Sequence, residues 1–364
     1  MRPGQTHPQQ YDTLLADKVS AVQALFQPLQ VPEPEVFPSP PEHYRLRAEF
    51  RVWHDGDDLY HIMFDPESKE RIRIDDFPVA DQRIRTMMPR LIAALKENEE
   101  LRRRLYQIDY LTGLSGELLI TLIYKRQLDA HWQQQAEALK AKLATAGPLD
   151  LIGRARKQKI ELNRDFIIEQ LAVDDRTLRY QQIENSFTQP NGVVNQNMLS
   201  WACSVARQLQ GDLLELYCGN GNFSLALAPH FNQVVATEIS RKSIRSAEYN
   251  CRLNQIENVQ VLQMSAEDVS AALLKGSQLK KLDLSSLQLN TVLVDPPRAG
   301  LDPATVELVS RFDDILYISC NPETLKANLA ELVKTHSIER FAVFDQFPYT
   351  HHLECGVWLR KQSR

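Results

Sequence analysis

Apolar and polar residues alternate one by one between Tyr44 and about residue 162. The alternation breaks at HDGDD and DPESKE, which are typical of hairpin turns. Helical spacing replaces it at about 82–103 and again at 128–147. Strands and helices in this order predict a small α+β domain over residues 41–180.

The pattern changes from Asp212 onward, where short apolar segments alternate with helical intervals. The segments are DLLELYCGNGNF, QVVATEIS, VQVLQMSAED, NTVLVDPPR and DILYISCNP. This order predicts a doubly wound, mostly parallel sheet, and therefore a Rossmann-like α/β domain over residues 181–364. A last segment, RFAVFDQFPYTHHLECGVWLR, splits at FPYTHHLE into two strands that would pair as a terminal hairpin.

The first 40 residues fit neither pattern. Apolar side chains recur at helical intervals over residues 8–28 and Pro28 closes the segment, which predicts an amphipathic helix docked on a domain. The proline-rich stretch 31–43 predicts an extended connector.

Composition places the chain among ordinary globular proteins, with 364 residues of which 43% are hydrophobic and 24% charged. No apolar run approaches the roughly 20 residues of a membrane span, and MRPGQTHPQQ lacks signal-peptide character, so we expect a soluble cytoplasmic protein. The five cysteines are scattered and show no CxxC spacing. We therefore expect reduced thiols and no metal, with a monomer as the default state.

Positive charge is concentrated in the first half, although the net charge is −5. Residues 83–164 contain 16 Lys and Arg against 9 Asp and Glu. Tyr106, Tyr110 and Tyr124 interleave with these basic residues, an arrangement suited to stacking on unpaired bases of RNA. The alternatives are half-buried strand tyrosines and a solvated charged face.

A glycine turn, Gly219–Asn220–Gly221, follows the first strand of the α/β domain, where the backbone can approach a ligand closely. Glu238 ends the next strand, 19 residues after Gly219, where a carboxylate can accept the hydroxyls of a ribose. Ser224 replaces the third glycine of a dinucleotide motif, which favours S-adenosylmethionine over NAD. The alternatives are a tight strand-to-helix turn and a solvated strand end.

Two further residues end strands at the edge where parallel sheets bind ligands. Asp295 precedes Pro296–Pro297, a stiff pair that aims its carboxylate over the sheet edge. Cys320 follows the apolar run of residues 315–318, so its thiol is placed to react. The alternative for Cys320 is a small buried hydrophobe.

Five strings in order, ENSFTQPN, ELYCGNGNFS, VDPPRAGL, YISCNPETL and DQFPYTHHLECG, resemble the RNA uracil-5 methyltransferase family. RAEFRVWHDGDDLYHIMF and QIDYLTGLS extend the likeness to the bacterial tRNA branch over nearly the entire length. The resemblance implies a class I methyltransferase domain that uses S-adenosylmethionine, with an N-terminal α+β RNA-binding domain.

The resemblance also implies roles for single residues. The implied cofactor residues are Gln189, Tyr217, Asn222, Glu238 and Asp295, with Cys320 as nucleophile and Glu354 as general base. This fits the chemistry, because uracil C5 accepts a methyl group only after a thiolate adds at C6, and a base must then remove the C5 proton. From the residues alone, Asp345, His351 and His352 are alternative bases.

The implied substrate is the uridine at position 54 in the T-arm of tRNA. Related rRNA enzymes carry four cluster-binding cysteines in an N-terminal region, whereas no cysteine precedes Cys203 here. Two alternatives are an rRNA uridine methyltransferase and a tRNA-folding RNA-binding protein in which catalysis is dispensable.

Overall fold

The structure, a computed structural model, describes residues 5–65, 67–275 and 287–362. The chain forms two compact units. The first unit contains residues 5–9, Pro40–Gln170 and Gln181–Gly192. The second unit contains Gln10–Ser39, Leu171–Tyr180 and the described part of Val193–Arg364.

The elements are numbered in chain order. The α-helices of the described residues are α1 (Tyr11–Phe26), α2 (Gln82–Lys96), α3 (Glu99–Arg102), α4 (Ala130–Leu143), α5 (Gly192–Ala206), α6 (Asn222–Leu227), α7 (Arg241–Leu253), α8 (Ala266–Lys275), α9 (Pro303–Val309) and α10 (Pro322–Leu332). The strands are β1 (Glu35–Phe37), β2 (Arg47–Asp55), β3 (Asp58–Phe64), β4 (Arg71–Ile74), β5 (Leu105–Thr112), β6 (Leu118–Tyr124), β7 (Leu149–Ala155), β8 (Gln158–Glu161), β9 (Phe166–Val173), β10 (Arg176–Ile183), β11 (Asp212–Leu216), β12 (Val234–Glu238), β13 (Val259–Gln263), β14 (Leu289–Val294), β15 (Asp314–Ser319), β16 (His336–Phe344) and β17 (Glu354–Lys361).

The second unit is built on one sheet with the strand order β1-β16-β17-β15-β14-β11-β12-β13. Strands β11 to β15 pair in parallel, and β17 runs antiparallel between β15 and β16. This confirms the predicted doubly wound sheet and terminal hairpin. Successive residues of β11 enter different cores, because Leu213 belongs to one apolar cluster and Leu214 to the other. Burial of both faces explains why β11 is apolar without alternation.

The first unit contains a sheet of order β4-β3-β2-β5-β6-β7-β8, in which only β6 and β7 among the paired neighbours are parallel. Alternation along β2 buries Ala48, Phe50 and Val52 and leaves Glu49 exposed, as the sequence pattern predicts. The predicted helix at 82–103 is divided into α2 and α3, because Asn98 caps α3 by accepting the Leu101 backbone N–H at 3.0 Å.

The grouping of the chain differs from the expected three segments. The predicted connector contains β1, which pairs in parallel with β16, and α1 joins the second unit, so residues 10–39 belong to the α/β part. Residues 181–192 belong to the first unit, beyond the expected boundary at 180. The sequence pattern does not predict the two-stranded ribbon of β9 and β10, and its residues are divided between the two units.

In the described ranges, every helix is too short or too polar to cross a membrane.

Candidate functional site

The second unit gathers most of the predicted site residues at one edge of its sheet. The parallel strands β11, β12, β14 and β15 all end there, and these ends carry the glycine turn, Glu238, Asp295 and Cys320. Strand β17 runs the opposite way, so its first residue, Glu354, lies at the same edge. The order of strands therefore explains how five distant sequence segments converge.

The glycine turn is formed by left-handed backbone conformations. Tyr217, Gly219 and Gly221 have φ of 64°, 56° and 84°. A Cβ built on Gly219 would meet nothing within 4 Å, so the turn borders open space, whereas a Cβ on Gly221 would lie 2.6 Å from Leu225 Cδ1. The carboxylate of Glu238 accepts the Gly219 N–H at 3.1 Å. Glu238 therefore holds the turn in place.

Two of the predicted cofactor residues flank this turn. Tyr217 is half-buried, and burial raises the pKa of its phenol to about 12, so the hydroxyl stays a donor at neutral pH. The amide of Asn222 donates to Asn195 Oδ1 at 2.9 Å and accepts from Asn195 Nδ2 at 3.0 Å. Half of the hydrogen-bonding capacity of Asn222 is thus used by the fold. Gln189 belongs to the first unit, and its cofactor role stays a prediction.

Asp295 is half-buried, and its loop is held by α10. The Arg298 carbonyl accepts from Asn321 Nδ2 at 2.9 Å and from Thr324 Oγ1 at 3.2 Å. Desolvation raises the pKa of the Asp295 carboxyl to about 7. This group can therefore exchange a proton near neutral pH.

Cys320 and Glu354 are brought together by strand pairing. Ser319, the last residue of β15, pairs with Cys355 of antiparallel β17, so the next positions of the two strands are Cys320 and Glu354. The Cys320 thiol is half-buried and the Glu354 side chain is buried. Neighbouring cross-strand positions have Cβ atoms about 5 Å apart, close enough for both groups to act on one small ring.

The protonation of this pair is set by burial. Desolvation raises the pKa of Glu354 to about 8, and Asp295 adds to that rise. Desolvation also raises the pKa of the Cys320 thiol to about 11, with Glu354 and Asp295 as further causes. Arg298, which the sequence analysis missed, acts in the opposite direction on both groups. Arg298 lies in the string VDPPRAG, which also contains Asp295, and this string was the available sequence signal for it.

The alternative bases have other surroundings. Asp345 is buried and paired with Lys18, and its Oδ2 accepts the Tyr11 hydroxyl at 2.8 Å. Desolvation lowers the pKa of His352, and its ring lies 4.1 Å from the exposed His351 ring. Asp345 is thus engaged structurally, which favours Glu354 as the base.

Sequence reasoning also missed an acidic residue inside the sheet. Glu215, in the middle of β11, is 1% exposed and accepts a hydrogen bond from the Ser224 hydroxyl. Desolvation raises its pKa to about 8, so it is a neutral donor or acceptor behind the glycine turn at pH 7. Its position in an apolar run gave no sequence signal beyond a lone acid.

One trio outside this edge brings three potential metal ligands within 4.8 Å of one another, namely Asp174, Cys203 and His230. Burial raises the pKa of Cys203 to about 12, which keeps the thiol protonated. Asp174 is also paired with Arg207 at 2.8 Å. Because Asp174 is already paired with Arg207, a divalent cation at this trio would have to compete for its carboxylate.

The first unit carries a groove of about 410 Å³ with aromatic and basic walls. Its lining residues include Arg51, Trp53, Phe64, Tyr106 and Lys125, and Trp53 and Phe64 are 39% and 52% exposed. The guanidinium of Arg51 and the ammonium of Lys125 lie 4.1 Å and 3.8 Å from the Tyr106 ring centre. Stacking surfaces beside cations suit single-stranded nucleic acid.

The other two tyrosines of the interleaved set do not line this groove. Tyr110 is fully buried, and Tyr124 is 4% exposed and donates to the Leu101 carbonyl at 2.8 Å. The alternative of strand tyrosines therefore holds for these two, because the alternation of β5 and β6 turns their rings into the core.

Much of the expected basic band is also paired within the first unit. The pairs include Arg85–Asp76, Arg126–Glu100, Lys140–Asp150, Arg154–Glu184 and Arg164–Glu117. The local positive charge therefore overstates what is available to a polyanion, and the groove is the better-defined surface.

Known proteins resemble this chain in sequence along nearly its whole length. The sequence profile of the family described as tRNA (Uracil-5-)-methyltransferase matches residues 10–362. A Vibrio vulnificus protein named tRNA/tmRNA (uracil-C(5))-methyltransferase is 54% identical over 363 residues, which cover 98% of each chain. A protein of the same name from Serratia proteamaculans is 54% identical over 366 residues and covers 100% of both chains.

A solved structure has a similar fold. It is the Pyrococcus abyssi tRNA (uracil-54, C5)-methyltransferase in complex with S-adenosyl-L-homocysteine, with a TM-score of 0.70 and 23% identity. The match covers 96% of this chain and 83% of that one. The likeness shows a shared fold along nearly the whole chain.

Proposed function

We propose, from the premise that this chain belongs to the tRNA (uracil-5-)-methyltransferase family, that it transfers a methyl group from S-adenosylmethionine to C5 of a uridine in tRNA. One observation carries the proposal. The thiol of Cys320 and the carboxyl group of Glu354 lie at the paired ends of β15 and β17, at the sheet edge that also carries the glycine turn. The enzyme is expected to act as a monomer in the cytoplasm, and both of these points stay predictions.

The residues at the glycine turn fit the cofactor. A ligand can approach the backbone at Gly219, where a Cβ would have met only open space. The Glu238 carboxylate accepts the backbone N–H groups of Gly219, Ile239 and Ser240 and keeps about one lone-pair site for a ribose hydroxyl. S-adenosylmethionine bound there would supply an electrophilic methyl group. We assign Tyr217, Asn222, Glu238, Asp295 and Gln189 to its binding.

The protein's own groups then handle one bond and two protons. The Cys320 thiol, whose pKa is raised to about 11, first gives its proton to water, and the thiolate then adds to C6 of the uracil ring. The C5–C6 electron pair moves to C5, which takes the methyl group. The Glu354 carboxylate removes the C5 proton, and the C6–S bond breaks to return its electron pair to the sulfur. Asp295 and Arg298 act through charge, since they raise and lower the thiol pKa respectively.

The T-arm of tRNA is the proposed substrate, with the uridine at position 54 as the target. A base inside a folded loop must leave its stack to reach a thiol at a sheet edge. The groove of the first unit supports an RNA substrate, because the exposed rings of Trp53 and Phe64 lie beside cations there.

The test uses two variants with opposite outcomes. Cys320→Ala removes the nucleophile, so methylated product should be lost while RNA affinity is retained. Glu354→Gln keeps the nucleophile and removes the base, so a denaturation-resistant protein–RNA adduct should accumulate. Normal turnover of Cys320→Ala, or the lack of any adduct with Glu354→Gln, contradicts the mechanism.

The same assay decides between substrates when T-arm RNA and rRNA fragments are compared. Preferential methylation of rRNA would replace the tRNA assignment. RNA refolding without any methylation by the wild-type protein would favour the RNA-binding alternative.

A further inference from the structure

The loop 345–353, which joins β16 to β17, leads directly into the proposed base Glu354, and helix α1 holds its first residue. Asp345 is 1% exposed. Its Oδ2 accepts the Tyr11 hydroxyl at 2.8 Å, and its Oδ1 is paired with Lys18 Nζ. Both carboxylate oxygens of Asp345 are therefore engaged by one helix that lies more than 300 residues earlier in the chain.

The same two side chains also hold later parts of the loop. Lys18 Nζ donates to the Phe347 carbonyl at 3.2 Å. The Tyr11 ring packs edge-on against Tyr349 with 6.2 Å between ring centres, and its hydroxyl accepts the Ser39 N–H at 2.7 Å. Residues 345, 347 and 349 of the loop are thus tied to α1 by three different kinds of contact.

Strand pairing carries this restraint to the base. Phe344, the last residue of β16, pairs with Glu354, the first residue of β17, so Asp345 directly follows the cross-strand partner of Glu354. The Asp345 N–H donates to the Phe37 carbonyl of β1 at 3.0 Å. Both ends of the loop are therefore held in place: Asp345 by its hydrogen bond to β1, and Glu354 by its pairing with Phe344.

We propose that Tyr11 and Lys18 are positioning residues, which hold the 345–353 loop so that the Glu354 carboxylate reaches the C5 proton. The inference rests on the proposed function. Proton transfer requires heavy atoms about 3 Å apart, and a misplacement of about 1 Å can cost about a hundredfold in rate. Loosening the loop should therefore slow removal of the C5 proton more than it weakens binding of either substrate.

The variants are Lys18→Met, which removes the charge but keeps a long side chain, and Tyr11→Phe, which keeps the ring. Proton release is measured in single turnovers with T-arm RNA tritiated at C5, together with the fraction of RNA in denaturation-resistant adduct. We expect release to slow by about tenfold or more in Lys18→Met, adduct to accumulate in both variants, and RNA affinity to change less than about twofold.

A matched control separates positioning from simple loss of stability. Val22 lies on the same helix and is buried in the apolar core of the second unit, so Val22→Ala should lower the melting temperature without adduct. Asp345→Asn, added to Lys18→Met, removes the buried charge that the single variant leaves unpaired, and should recover part of the stability without restoring proton release.

The outcomes are distinct. Wild-type proton release in Lys18→Met and Tyr11→Phe overturns the inference, as does equal adduct in a Val22→Ala protein of matched melting temperature. Should Lys18→Met fail to fold, Tyr11→Phe decides alone. Glu354→Gln is run alongside: if it forms no adduct, the proposed function fails, whereas adduct there and none in the α1 variants rejects only the positioning role.

Discussion

Replacing the proposed base with its amide should stabilise the protein at alkaline pH, although we expect it to remove activity. Glu354 is 6% exposed, and desolvation raises its pKa from 4.5 to about 8. An acid whose folded pKa exceeds its unfolded pKa contributes stability at low pH, and this contribution is lost as pH rises through the folded pKa. Glu354→Gln has no charge to bury, so it escapes that loss.

The magnitude follows from the shift. A rise from 4.5 to about 8 is about 3.5 pKa units, or about 5 kcal/mol at about 1.4 kcal/mol per unit. About 1 kcal/mol of this is already lost at pH 5, because the unfolded chain ionises first, which leaves about 4 kcal/mol between pH 5 and pH 9. Glu354→Gln should therefore gain on the wild type by a few kcal/mol over that range.

The assay compares denaturant unfolding of the two proteins at pH 5, 7 and 9, followed by a probe in the second unit. Glu257→Gln serves as the control, because Glu257 is exposed and its neutralisation should give no comparable trend. An equal stability difference between Glu354→Gln and wild type at pH 5 and pH 9 would refute the claim that desolvation raises the pKa of the Glu354 carboxyl group.

Two further predictions concern the ligand surfaces. Gly219→Ala should keep the fold at a cost of about 1 kcal/mol and weaken S-adenosylmethionine binding by tenfold or more in calorimetry, whereas Gly221→Ala should also destabilise the fold, because its Cβ would meet Leu225 at 2.6 Å. Lys125→Gln should weaken T-arm RNA binding about tenfold in a filter-binding assay, while Lys142→Gln, which removes an equal charge outside the groove, should leave it nearly unchanged. Equal effects within either pair would contradict the assignment.

The fold was predictable where a single pattern determines an element. Strand β15 is fully buried over residues 315–319, and an uninterrupted apolar run predicts this without knowledge of its neighbours. Strand β1 has only three residues, in a proline-rich stretch, and exists because β16 offers an edge to pair with. The β9 and β10 ribbon did carry a signal, since burial alternates along β9 and Asp174 forms the turn with φ of 54°.

The site was predictable for residues that end parallel strands. Glu238, Asp295 and Cys320 follow apolar runs, and the rule that such ends share one edge brings them together. Glu354 was assigned through resemblance, because its position depends on antiparallel pairing with β15, and no local pattern distinguishes it from Asp345. That distinction comes from contacts with α1, which sequence periodicity does not report.

The reversed direction of β17 accounts for the convergence of Cys320 and Glu354 at this edge. Because β17 enters where β15 ends, Cys320 and Glu354 are the positions directly beyond the last paired residues of the two strands, Ser319 and Cys355. A one-residue slip in this pairing would turn the Glu354 side chain to the other face of the sheet. The contacts of α1 with the start of the 345–353 loop act against such a slip, so α1 and β17 serve the same geometry.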